Sequence, residues 1–451
     1  MFIFDDQIEL EPKIGFWALL LMAFSGTLGG GFFTLLGIGA GIAGPLLPFS
    51  FMIAGLIAFI VSRVYAELAT AMPAPGGGQV YVRNAFGERP SLFIAHWLTW
   101  LAEIAFSALN AIGLGLYLSL VLPLSPIAVS LISIGLLVLI NLYGVDNIEK
   151  IELFFGFAFV LALIGVIGFI LKDFSVNTIQ IQVIDFKGVW GMLKAVPLIF
   201  VLFIGTEDVA AIAGEIKNKS RNIPKAFTWS ILALTSTATL TSFLLIHTFP
   251  LQELANHPRP FQLLFEQLGA LGGGLSLAVA ITACASSLFF GSLADTRTAY
   301  ALGKAGEFPK IFTKLNKHKV PFVSILVSGF LLTILTITES ANFVGYVANL
   351  GFFLEVIFIS FALIKLRKKR PKLPRPFLIK HYPLVPILAI GLSSFFLILI
   401  DPMALGVGIL FSLIGLAVYL MKYFNKEKLI IAIKAFLIFL IILFLILLTL
   451  I

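Results

Sequence analysis

Ser25-Gly26-Thr27-Leu28-Gly29-Gly30-Gly31 lies inside the first long apolar stretch of this chain, where an unbroken helix would be the ordinary solution. Glycine in a helix interior costs about 1 kcal/mol relative to alanine. Four glycines, at Gly26, Gly29, Gly30 and Gly31, therefore mark a break rather than a helix. Lipid cannot hydrate the backbone groups that a break frees, so one is tolerated only where protein or a polar cavity satisfies them. The break leaves amides pointing outward on one side and bare carbonyls on the other, a pairing that suits a zwitterion. Phe203-Ile204-Gly205-Thr206-Glu207-Asp208 predicts a second break in the sixth apolar span. Two broken spans, five apart, point to a transporter.

Composition carries the same message. Of 451 residues, 59% are hydrophobic and 12% charged, whereas soluble domains average about 25% charged. The expectation is an all-α polytopic membrane protein. Spans are expected at about 15–43, 46–71, 91–122, 126–144, 151–171, 189–213, 225–249, 266–302, 320–338, 342–366, 382–400, 403–422 and 429–451. Spans one and six are the broken pair. An odd number of helices per unit gives two successive units opposite orientations, so the first ten spans divide into a five-plus-five inverted repeat. The organisation read here is a segment 1–14, a first repeat 15–171, a second repeat 189–366, and two or three extra C-terminal helices within 382–451. No loop is long enough for a soluble domain.

The net charge of +8 is distributed by topology. Lys217, Lys219, Arg221 and Lys225 follow span six. Lys304, Lys310, Lys314, Lys317 and Lys319 follow span eight, and the run from Lys365 to Arg375 follows span ten. The opposite side offers little beyond Lys172, Lys187 and Arg259. This bias puts the N-terminus in the cytoplasm of a multi-pass protein of the cell membrane. It argues against nucleic acid as a partner and for the lipid bilayer. Asp5, Asp6, Glu9 and Glu11 ahead of span one are unlike a signal peptide, so that span is expected to be retained. The single Cys284 excludes an intrachain disulfide and a cysteine metal cluster. No phosphate-binding Gly-Lys-Ser/Thr loop is present, so ATP is not expected to drive the protein and no enzyme activity is expected. Trp17, Trp190 and Trp229 sit near span ends, where indoles favour the interface. Trp97 and Trp100 fit either an interfacial or a packed position.

Several strings resemble one family. Gly26-Thr27-Leu28-Gly29-Gly30-Gly31-Phe32-Phe33 resembles the first-helix break of amino acid–polyamine–organocation (APC) superfamily permeases. Tyr65-Ala66-Glu67-Leu68, with Pro73, Gly76, Gly77 and Tyr81, resembles their second-helix exit and re-entrant segment. Asn141-Leu142-Tyr143-Gly144 is similar to the end of their fourth helix. Gly205-Thr206-Glu207 and the segment Gly214 to Ala226 resemble their sixth helix and following loop. Ala299 to Pro309 is similar to the end of their eighth helix, and Arg375-Pro376-Phe377 to a short string after the tenth. The resemblance covers the first 377 residues. It implies the LeuT-type fold, first seen in sodium-coupled leucine transport, and amino acid transport as the activity. It departs from the family at Gly30, where a serine is usual, and in offering a thirteenth span.

The breaks themselves suggest roles. Amides of Gly29, Gly30 and Gly31 can donate to a substrate carboxylate, helped by the dipole of the following half-helix. Carbonyls near Gly26, Thr27 and Phe203 can accept from an ammonium, with Gly205 giving the second break its freedom. The competing reading is that the glycines only let helices pack closely. By resemblance to sodium-coupled relatives, Ser286 and Ser287 would join the carbonyls of Ser25 and Leu28 around Na⁺. Serine also commonly bonds the carbonyl one turn back, and both readings stand. Relatives that replace the ion use a fifth-helix lysine; the matching position here is Phe159. Glu103 lies inside span three, where an ionised carboxylate facing lipid costs at least ~2.5 kcal/mol. It could select a cationic side chain, carry a proton, or pair with His96. Asn110 reads more readily as an interhelical hydrogen bond than as a ligand. Glu207 is a family-typical acid that could sense protons or cap freed amides, and Asp208 has no role by this reading. Asp295 and Arg297, two apart, do not share a helical face. Phe203 could cover the substrate.

The reading is a secondary active amino acid permease working by alternating access, a symporter or an exchanger, with Na⁺ or H⁺ as coupling ion and no other cofactor. A polyamine or organic amine transporter is the alternative. A membrane sensor lacks a soluble signalling domain here, and a channel would need a continuous polar pore.

Overall fold

The computed structural model describes residues 14–73, 77–87, 90–144, 148–173, 186–267 and 269–421. Residues 1–13 and the expected thirteenth span, 429–451, lie outside the described residues, as does Gly76.

The first span is divided into α1 (Phe16–Ser25) and α2 (Gly30–Ala43). Span two is α3 (Leu47–Ala71), and a short helix, α4 (Gly77–Phe86), follows it. Spans three to five are α5 (Pro90–Leu118), α6 (Pro126–Tyr143) and α7 (Ile148–Asp173). Span six consists of α8 (Phe186–Ile199), a 3-10 turn at Phe200–Phe203, and α9 (Asp208–Ala211). Span seven is α10 (Lys219–Thr248), followed by the short α11 (Leu251–Asn256) and α12 (Pro260–Gln267). Spans eight to ten are α13 (Gly269–Lys304), α14 (Phe322–Ile337) and α15 (Ala341–Lys369); α16 (Leu384–Ile398) and α17 (Pro402–Met421) complete the described chain.

Eight helical stretches among the described residues are long and apolar enough to cross a bilayer, with four shorter apolar helices beside them. Their outer faces are apolar as well. Ile132, Leu136, Leu139 and Ile140 of α6 and Phe154, Phe157, Leu161 and Ile164 of α7 are exposed. Leaving each such side chain in water would forfeit about 1.5–3 kcal/mol, so lipid is their solvent.

At two span starts the backbone explains a difference from expectation. Span seven starts at Lys219 rather than 225, because Asn218 in the left-handed region, at φ 48°, starts the helix and its carbonyl accepts from Arg221 and Asn222, each at 2.9 Å. Pro224 removes one rung near this end without stopping the helix. The expected span 266–302 is divided at Gly269, whose φ of 67° ends α12 and starts α13.

α5 is the axis of the protein, with Ala105, Ala108 and Ala111 fully buried. It packs against α13 on one side and α15 on another, and also against α6, α14 and α17, while α3 packs on α10 and α8. The two tryptophans of α5 are packed, not interfacial. Trp97 donates Nε1–H to the Phe411 carbonyl at 2.9 Å, and Trp100 stands edge-on to Phe308 and Phe312. Trp17 and Trp229 are exposed.

The ends of the two broken spans are tied by backbone. Ile14 N–H donates to the Glu215 carbonyl at 3.0 Å, and Lys217 N–H donates to the Ile14 carbonyl at 2.9 Å. Nearby, Glu67 of α3 is fully buried and accepts from Arg367 Nε at 2.8 Å and from the Ile379 amide at 3.0 Å. Arg375 Nε lies 3.5 Å from the same carboxylate. The Tyr65–Leu68 and Arg375–Phe377 strings thus meet at one ion cluster.

Candidate substrate site

The first break is four residues long. Gly26 N–H still reaches the Met22 carbonyl at 3.0 Å, and Leu28 N–H the Phe24 carbonyl at 3.2 Å. Gly29, with φ −107° and ψ −148°, then turns the chain out of the helix. α2 restarts with Gly30, whose amide donates to Asn110 Oδ1 of α5 at 2.5 Å. Asn110 is the partner that caps the half-helix, and its own Nδ2 donates to the Phe106 carbonyl at 2.8 Å. The expected cradle is therefore partly filled by the protein itself. Gly31 differs: its buried N–H has no acceptor among the described residues.

The glycines also permit close approach. A Cβ at Gly29 would run into Asn110 Oδ1 and the Ser287 side chain, and one at Gly30 would lie 2.8 Å from the Leu109 carbonyl. One at Gly31 would meet only side chains, with Val201 Cγ1 at 2.9 Å and Leu109 Cδ2 at 3.4 Å. Packing thus explains Gly29 and Gly30, whereas Gly31 fronts an apolar corner beside a free amide.

The second break faces the first. Ile204 is extended, and Gly205 takes φ 104°, a conformation L side chains rarely adopt. A Cβ at Gly205 would lie 3.2 Å from Thr27 Oγ1 and 3.8 Å from the Gly26 carbonyl oxygen. The carbonyls of Gly26 and Leu28 have no donor among the described residues. The other two expected acceptors are engaged. Gly29 N–H occupies the Thr27 carbonyl at 2.9 Å, and Thr206 Oγ1 donates to the Phe203 carbonyl at 2.8 Å. Phe203 is buried against Phe200, with ring centroids 5.8 Å apart. Glu207 Oε2 accepts the Gly205 amide at 3.0 Å, capping the break.

Span eight brings its hydroxyls to the same wall. Ser287 Oγ donates to the Ser25 carbonyl at 3.5 Å, a long contact. Ser286 is buried, and its Oγ has no partner among the described residues. Phe159 of α7 packs on Phe24 with centroids 5.9 Å apart, so this flank of α1 is apolar.

Glu103 stands about 10 Å along α5 from Asn110, away from the break. Its Oε1 accepts from Thr298 Oγ1 of α13 at 3.1 Å, and its Oε2 has no partner among the described residues. Of the three roles open to Glu103, the pairing with His96 is not made. His96 Nδ1 instead lies 2.5 Å from Glu307 Oε2, because the segment after α13 brings that acid over α5. Asp208 and Glu355 of α15 lie within electrostatic reach of one another, of Glu103 and of Glu207, with Arg297 acting on Asp208. Glu355 is a member that the sequence reading did not single out. An acid amid the apolar residues of span ten was its only signal.

Two breaks facing one another across a buried wall, in a bundle of membrane-length helices, define a carrier of the LeuT-type fold with spans one and six broken and further C-terminal spans added. Over 95% of this chain and 94% of the other, the fold is similar to the crystal structure of a mutant of the Eremococcus coleocola manganese transporter, at a TM-score of 0.57 and 17% identity. Residues 14–408 match the amino acid permease family. The chain belongs to that family, within the APC superfamily, and is a multi-pass membrane protein and an amino acid transporter. Among its relatives, the branched-chain amino acid permease BcaP of Bacillus subtilis is 26% identical, over 94% of this chain and 96% of that protein. The lysine-specific permease LysP of Lactococcus lactis is 27% identical, over 85% of this chain and 82% of that protein.

Proposed function

We propose that the protein is a secondary active carrier of amino acids with apolar side chains, alternating access between two inverted repeats, residues 15–171 and 189–366. It performs no covalent chemistry, and its N-terminus and basic loops face the cytoplasm. The observation that carries this reading is the pair of open backbone groups, the Gly31 amide and the Gly26 carbonyl, on the two sides of the first break, which the second break faces. A buried donor left unmade costs about 1–3 kcal/mol, and an α-carboxylate there would repay it with a charge-assisted bond at a helix N-terminus. The ammonium would sit at the Gly26 carbonyl. Val201 and Leu109 pack against Gly31 and would part to receive an aliphatic side chain, which agrees with the substrate in BcaP's name. A polyamine would leave the Gly31 amide unpaired. A thermal-shift screen of the amino acids tests this: leucine, isoleucine or valine should raise the melting temperature of the purified protein. Stabilisation by polyamines alone would refute it.

Glu103 carries a second reading, because its Oε2 is unpartnered and one relative is named lysine-specific. Glu103→Gln decides between roles. Loss of lysine or arginine binding with neutral substrates spared would make Glu103 a selector. Unchanged binding and exchange with loss of pH-driven accumulation would make it a proton carrier. On the apolar-substrate reading, leucine binding is expected to change less than about threefold, since Glu103 lies about 10 Å along α5 from the Asn110 cap of the first break.

For the coupling ion we propose Na⁺, held by the Ser25 and Leu28 carbonyls with Ser286 and Ser287. The long Ser287–Ser25 contact and the free Ser286 hydroxyl support this, since unfilled oxygens without full charge suit a monovalent ion. Ser286→Ala combined with Ser287→Ala is expected to raise the Na⁺ concentration for half-maximal uptake by about tenfold or more, the loss of two ion–oxygen contacts. Uptake indifferent to Na⁺ but driven by an imposed pH gradient would instead assign coupling to the carboxylates around Glu103 and Glu207.

A further inference from the structure

Away from the breaks, α6, α13 and α14 enclose a cavity of about 10 Å³, lined by Asn141, Ser292, Asp295, Thr296 and Ser328 among apolar neighbours. That is room for one water-sized occupant. Three oxygens in this wall have no hydrogen-bond partner among the described residues: Asp295 Oδ1, Asn141 Oδ1 and Ser328 Oγ. Their residues are 1%, 5% and 2% exposed, so bulk water does not compensate them.

The remaining polar atoms are already committed. Ser107 Oγ of α5 donates to Asp295 Oδ2 at 3.4 Å. Ser328 Oγ is the loose donor facing the same carboxylate, at a geometry short of a hydrogen bond. Asn141 Nδ2 donates to Ser292 Oγ at 3.2 Å, which leaves the Asn141 carbonyl oxygen open. Ser292 Oγ donates to the Phe289 carbonyl at 2.9 Å, and Thr296 Oγ1 to the Ser292 carbonyl at 3.0 Å. No ion pair among the described residues includes Asp295. Arg297 belongs to another face and acts on Asp208, and the charged group that Asp295 does act on is another acid, Glu103. A buried carboxylate without a counter-charge costs several kcal/mol, and two neutral oxygens beside it add to the deficit. One small cation meets all three needs.

We propose that Asp295, Asn141 and Ser328 form a binding site for a sodium-sized monovalent cation, separate from the breaks. One carboxylate and neutral oxygens match a single positive charge, whereas calcium takes six to eight oxygens and magnesium keeps several waters. The ion would bridge α6, α13 and α14, and it gives the Asn141-Leu142-Tyr143-Gly144 string a physical role. The proposal does not depend on the coupling ion suggested at Ser286 and Ser287.

The test is thermal unfolding of the purified full-length protein in NaCl against choline chloride at equal ionic strength, with ²²Na⁺ binding in parallel. The melting temperature is expected to rise with NaCl and to saturate. With the ion site proposed at the breaks silenced by Ser286→Ala and Ser287→Ala, Asp295→Asn is expected to remove this response, and Ser328→Ala to move its midpoint to about tenfold higher Na⁺. The combined Ser286→Ala and Ser287→Ala protein is expected to keep it. Equal melting in the two salts, or an Asp295→Asn substitution that leaves the response of that background unchanged, would overturn the proposal. So would a response lost only in the double serine variant, which would put the ion at the breaks. Should Asp295→Asn not fold, an unchanged Na⁺ midpoint in Ser328→Ala would overturn it equally.

Discussion

Gly31→Val is expected to lower amino acid affinity by at least about 100-fold, a loss of about 2.7 kcal/mol, in a protein that still inserts and folds. The bound carboxylate is proposed to accept the Gly31 amide at the start of α2, where the half-helix dipole adds to the bond. A Cβ there would already stand 2.9 Å from Val201 Cγ1, and the two methyls of valine would occupy the corner proposed for substrate. Only side chains meet this Cβ, whereas the Leu109 carbonyl and the Asn110 backbone meet one at Gly30, so the fold can yield at position 31 more readily than at 30. Isothermal titration or scintillation proximity binding on monodisperse protein reads the effect. Parent-like affinity in Gly31→Val would remove the cradle from the account.

Glu67→Ala has the second large effect, and it falls on stability. The Glu67 carboxylate is fully buried and holds Arg367, Arg375 and the Ile379 amide. Removing one partner of a buried ion cluster leaves charge uncompensated and costs about 3–5 kcal/mol. The expected outcome is a sharp fall in detergent-extracted, monodisperse protein and a lowered melting temperature, with Glu67→Asp intermediate. A Glu67→Ala protein that melts with the parent would mean that the cluster contributes little.

The sequence made the breaks legible because a glycine run inside an apolar stretch is a local signal that helix propensity alone interprets. Span positions were legible for the same reason, since lipid demands length and hydropathy. What escaped was everything decided by register between helices. Asn110 was legible as an interhelical hydrogen bond, but its partner, the start of α2, was not, because nothing in the α5 sequence fixes where it crosses the break. His96 and Glu103 share a helical face, yet the loop after α13 brings Glu307 to His96 and leaves Glu103 to Thr298. Phe203 offered a bare carbonyl on paper; the Thr206 hydroxyl, three residues on, claims it. The Asp295 cavity needs α6, α13 and α14 at once, so no single segment announces it.

The central claim is that the facing breaks carry an amino acid across the membrane by alternating access. Counterflow in proteoliposomes tests it most directly. Vesicles loaded with unlabelled leucine should accumulate external labelled leucine transiently above equilibrium, with little entry into empty vesicles and none with Gly31→Val protein. Entry that is equally fast into loaded and empty vesicles, or no flux of any amino acid by a folded protein, would contradict the account.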